Sequence, residues 1–89
     1  MKLYLVHCGF YDMGLCDGIY ESHVNLLIAA ESFERAKVKV RENPDFIARK
    51  MHIDGLQEVA WVNGYQVGLS LNPSANGKTL LLGNRHRDL

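Results

Sequence analysis

Residues 20–43, YESHVNLLIAAESFERAKVKVREN, change character once. The first half, 20–30, is polar at its start and apolar from Val24 on, as in a strand that leaves the core at its polar end. Ser32 then stands where a helix N-cap is needed, because its hydroxyl can accept an unpaired N–H of the first turn. Glu34 follows at the positive end of the helix dipole. Phe33, Ala36 and Val40 recur at helical spacing among the good helix formers Glu, Arg, Ala and Lys. Ala36, Val38 and Val40 also alternate as a strand would, but the cap and the composition favour a helix over 33–43. Pro44 stops or restarts it, with 45–49 as a second short helical piece. A strand that hands over to a helix is the seed of an α+β domain.

Working outward, residues 2–10 (KLYLVHCGF) are β-branched and aromatic and predict the first strand. Residues 11–18 (YDMGLCDG) hold two glycines and two aspartates, which suits a loop more than a tight turn. Downstream, 56–62 and 65–71 flank Asn63-Gly64, a pair suited to the two positive φ angles of a type I′ hairpin turn. Val59, Trp61, Val67, Leu69 and Leu71 would line one face of that hairpin. Asn72 opens a run of turn residues, 78–82 (KTLLL) predicts a further short strand, and the last five residues a frayed tail. The expected fold is a single α+β domain over 1–71 in the order β-β-α-β-β. Its sheet is antiparallel or mixed with one helical layer, and 72–89 form a C-terminal extension. One helix cannot cover both faces of a four-stranded sheet, so a second copy is expected on the other face, as a homodimer.

Composition narrows the partners. The 89 residues are 47% hydrophobic, and ten basic side chains balance ten acidic ones for zero net charge. That balance offers no basic field for nucleic acid or anionic lipid, and no apolar run approaches the ~20 residues that cross a bilayer. The N-terminus lacks a signal-like apolar core, and Cys8 and Cys16 do not form a CxxC pair. A cytoplasmic protein with reduced thiols is expected.

Two polar islands carry the candidate chemistry, Glu21-Ser22-His23 and His52-Ile53-Asp54-Gly55. On an extended chain, residues at i and i+2 share a face, so each island presents one histidine with one carboxylate. The candidate catalytic residues are therefore His52, His23, Asp54 and Glu21, imidazoles that titrate near neutral pH and are oriented by acids. The same four side chains are of ligand type for zinc. No HExxH spacing or cysteine pairing accompanies them, so no metal is assigned and the cofactor is left open. Cys8 and Ser22 are nucleophiles by type only. The plainer expectation for the second island is a turn leading into the hairpin, with Asp54 bonding its own backbone and Gly55 at positive φ. Arg35, Lys37, Lys39 and Arg41, diluted by Glu31, Glu34 and Glu42, read as a solvated helix face. The loop 11–18, with Asp12 and Asp17, is a candidate cover for a site.

The opening strand ending in glycine, the Glu-x-His at the head of the second strand, the helix, and His-Ile-Asp-Gly before an Asn-Gly-Tyr hairpin resemble a bacterial domain of unknown function, DUF1543. The resemblance runs from about Lys2 to Leu71. Gly9-Phe10 replaces a Gly-Gly of that pattern, and Val24 replaces an acid. It implies an α+β fold and, because longer relatives carry tandem copies, a dimer; it implies no activity. The leading expectation is a homodimeric binding or assembly module whose small-molecule or protein partner is open. The alternative is a small-molecule enzyme using His23, His52, Glu21 and Asp54. An enzyme would gather both histidines at one site, and a module would scatter them.

Overall fold

The computed structural model describes residues 1–14 and 20–83. The elements are β1 (Lys2–Tyr11), β2 (Glu21–Ala30), α1 (Phe33–Arg41), α2 (Pro44–Ala48), β3 (His52–Glu58), β4 (Trp61–Val62) and β5 (Tyr65–Gln66), followed by a 3-10 turn at Pro73–Ala75. β1 lies in the middle of an antiparallel sheet of order β2-β1-β3, and β4 and β5 form a separate two-stranded ribbon. The domain is α+β, as the strand-to-helix change predicts.

Alternation in β1 divides the sheet into two faces. Tyr4, Val6, Cys8 and Phe10 are buried on one, with Val24, Leu26 and Ile28 of β2 and Ile53 and Leu56 of β3 packed against them. α1 covers this face through Ala36 and Val40, both fully buried. Enclosing the Val6 or Val40 side chain is worth about 1.5–3 kcal/mol. The Phe33 ring meets Tyr4 edge-on at 5.0 Å. Ser32 caps α1 as predicted, its Oγ accepting from Arg35 N at 3.1 Å. Pro44 restarts the chain as a helix: Asn43 Oδ1 accepts from Asp45 N and Phe46 N, and the proline occupies the first turn, where its missing N–H costs nothing.

Two expectations change, and a third is located only in part. First, the sheet has three strands, of order β2-β1-β3, and the downstream hairpin forms a ribbon of its own and does not join it. Asn63 and Gly64 do take positive φ, 51° and 85°, but the strands they join are two residues each. Residues 67–71 and 78–82 lack the partner strand that would make them strands. Leu71 is 91% exposed and Trp61 70%. Second, His52-Ile53-Asp54-Gly55 is not a turn but the first half of β3. The reversal is completed just before it, where Lys50 takes φ 51° and Met51 N bonds Phe46 O at 3.0 Å. Third, of the loop 11–18, Asp12 turns the chain by accepting from Gly14 N, while Asp17 lies outside the described residues. No helix among the described residues is long and apolar enough to cross a membrane.

Candidate functional site on the open sheet face

The face of the sheet opposite α1 carries His7, Gly9 and Tyr11 of β1. Register places His23 of β2 and His52 of β3 on either side of Gly9, and Glu21 beside Tyr11. Gly9 has no side chain, so the two histidines and their acids lean over it from both edges.

Asp54 arrives through a bulge. Opposite Cys8 stands Ile53, but opposite His7 stands Gly55, so Asp54 is an extra residue in β3. Strict alternation from His52 would turn Leu56 toward the open face. The bulge returns Leu56 to the core, opposite Val6, while His52 and Asp54 stay together above the sheet.

All four sequence-predicted residues meet. Glu21 Oε1 lies 3.1 Å from His52 Nε2 and 3.3 Å from His23 Nε2. Asp54 Oδ1 lies 3.1 Å from His52 Nε2, and its Oδ2 lies 3.3 Å from His23 Nδ1. Each carboxylate thus contacts both imidazoles. A carboxylate only accepts, so wherever these contacts are hydrogen bonds the ring nitrogen carries the proton. His7 extends the cluster: its ring stacks on His23 at 4.7 Å, and its Nδ1 is 2.8 Å from Asn25 Oδ1. The ligand atoms of His7, His23 and Asp54 lie within 4.8 Å of one another, as do those of Glu21, His52 and Asp54.

The electrostatics follow from this packing. Partial burial pulls the Glu21 carboxyl upward, but hydrogen bonds from His52 and Tyr11 and the charges of His52 and His23 outweigh it and hold it below the usual carboxylate range. Tyr11 is pushed up, first by its hydrogen bond to Glu21 and then by that carboxylate's charge. Cys8 faces the core, where burial and then the charge of Asp54 raise its thiol, which removes it as a nucleophile for this site. Ser22, opposite Phe10, belongs to the covered face as well.

Sequence inspection missed His7, Gly9, Tyr11 and Asn25. The signal was present: His7, Gly9 and Tyr11 alternate with the apolar Val6, Cys8 and Phe10, but nothing local says that this row abuts both islands. Beyond Tyr11, a cleft of about 470 Å³ opens between Asp12 and Met13 on one side and Ala48, Arg49 and Lys50 on the other. Comparisons of the chain with protein-family models, with curated proteins and with solved structures each found no match.

Proposed function

We propose that this is a small-molecule enzyme whose chemistry is proton transfer at the His23/His52 cluster. One observation carries the proposal: Glu21 and Asp54 each touch both imidazoles, so two titratable rings share one pair of acids on an exposed surface. His52 Nε2 is the atom at which a proton is held and passed, because it alone has a carboxylate oxygen at 3.1 Å on two sides. His23 and Tyr11 position the acids. The cleft beyond Tyr11 offers the substrate a place that Tyr11 alone links to the cluster, its ring 6.5 Å from that of His52. Arg49 and Lys50 on its wall favour a polar, anionic molecule. A cytoplasmic setting belongs to the same proposal, supported by the free thiol of Cys8.

Mapping a library of small carboxylates and phosphates onto the amide NMR spectrum tests this. Binding should perturb Tyr11, Asp12, Lys50 and His52 and disappear in Tyr11→Ala. Binders that perturb only residues 61–71 would refute it.

A second reading has its own observation. Trp61, Tyr65 and Leu71 are exposed within one stretch of eleven residues, and Leu69 and Leu71 line a groove of about 740 Å³ with Leu27 and Ala29. Such a surface supports the homodimeric module, and the two readings are compatible.

A further inference from the structure

The same cluster has more acid than proton transfer alone requires. Glu21 and Asp54 both crowd His52, and no lysine or arginine of the described residues is bonded to either acid. We propose that Glu21, His52 and Asp54 hold one divalent transition-metal ion, of the zinc, manganese or ferrous class, above Gly9.

Three features converge on these three side chains. The first is spacing. His52 Nε2 lies 3.1 Å from one oxygen of each acid. Neighbouring ligands around an ion with bonds of ~2.0–2.1 Å stand about 3.3 Å apart in a tetrahedron and about 2.9 Å apart in an octahedron. The observed spacing falls between the two.

The second feature is the glycine. A methyl group on Gly9 would overlap Glu21 Oε1 and come within 2.6 Å of both Asp54 Oδ2 and His52 Nε2. The three donors thus converge over the one position in the row that has no side chain to fill it. The same ligand atoms form a set mutually within 4.8 Å.

The third feature is the surrounding shell. His23 approaches both acids, at 3.3 Å each, and Tyr11 hydrogen-bonds Glu21. Partners of this kind aim ligating carboxylates, and their loss typically weakens metal binding by about 10–100-fold. An imidazole with two carboxylates suits zinc, manganese or iron(II) better than calcium or magnesium, which prefer oxygen alone. Three protein ligands leave a coordination position open to water or substrate, as at catalytic sites. The inference rests on the proposed function for its substrate and replaces its proton carrier, since an ion on His52 Nε2 occupies the lone pair that would otherwise take the proton.

Calorimetric titration of the chelator-stripped full chain with zinc, and with cobalt(II) for its visible spectrum, tests the proposal. One equivalent should bind near pH 7.5 (about one unit above the ordinary histidine value). Glu21→Gln, Asp54→Asn and His52→Asn should each weaken it at least about tenfold, and Tyr11→Phe by a smaller factor. His7→Asn should bind as the parent does. Amide shifts on adding zinc should centre on Gly9, Glu21 and residues 52–54, a readout independent of variant folding. No stoichiometric binding overturns the proposal, and so does binding that His7→Asn abolishes and His52→Asn spares. If zinc fails while the small-molecule map on Tyr11 and His52 persists, only the metal falls. If zinc binds and that map is empty, only the enzyme reading falls.

Discussion

Gly9→Ala separates the stability of the sheet from the integrity of the site. Gly9 lies mid-strand between two partners and does not take positive φ, so an alanine fits its backbone. Replacing a strand glycine by alanine ordinarily favours folding by about 0.5–1 kcal/mol. The three atoms nearest the added methyl are all side-chain tips. It would stand 2.6 Å from Asp54 Oδ2 and His52 Nε2, whereas ordinary contact begins at 3.4 Å. Those tips must therefore retreat by about 0.8 Å, and Glu21 by more, which a functional constellation held to about 0.5 Å cannot absorb. The domain should melt unchanged or a few degrees higher, at about 4–8 °C per kcal/mol for this size. Zinc affinity should fall at least tenfold, about 1.4 kcal/mol. Circular dichroism of the metal-free protein and calorimetry on the same preparation read the two effects. Parent-like zinc binding would show that the donors do not meet over Gly9. A loss of more than about 2 kcal/mol in stability would show that the methyl strikes backbone rather than movable tips.

Other outcomes follow from the core and the surface. Tyr4 Oη is buried with no hydrogen-bond partner among the described residues, so Tyr4→Phe should raise stability by about 1 kcal/mol; a lower urea midpoint would count against that. Val40→Ala removes two carbons from a fully enclosed site under β1 and should cost about 2 kcal/mol, a value near zero meaning that α1 does not seal the core. In a Cys16→Ser background, Cys8 should alkylate slowly in the folded protein and rapidly in denaturant, because burial both hides the thiol and raises its pKa; rapid labelling of the native protein would refute its enclosure. If the exposed apolar ribbon joins two copies, Trp61→Lys should convert a sedimenting dimer to monomer, and a monomeric parent chain would dispose of the dimer.

Much of the local structure was legible in the sequence because its causes are local. The Ser32 hydroxyl and the formers after it specify a helix within one turn of chain. Asn63-Gly64 specifies its own turn. Period-2 geometry alone guarantees that Glu21 shares a face with His23, and His52 with Asp54, once each segment is extended. Where that reading failed, the cause lay elsewhere in the chain. Residues 65–71 alternate like a strand, but a strand exists only through a ladder, and beyond Gln66 the segment has no partner strand among the described residues. The His52–Gly55 island carries turn chemistry that went unused because the chain had reversed by Lys50.

The site itself was half legible. Four of its residues followed from type and spacing, but their meeting is a matter of register. Only the pairing of Gly9 with His23 on one side and His52 on the other, 14 and 43 residues away in sequence, brings the two islands together. Only the bulge at Asp54 lets one strand place a carboxylate on the open face and a leucine in the core just two residues apart. Such pairings are set by whole strands burying Tyr4, Val6, Cys8 and Phe10 together. A one-residue slip would turn every side chain to the opposite face, so the buried side of the sheet determines where the polar side converges.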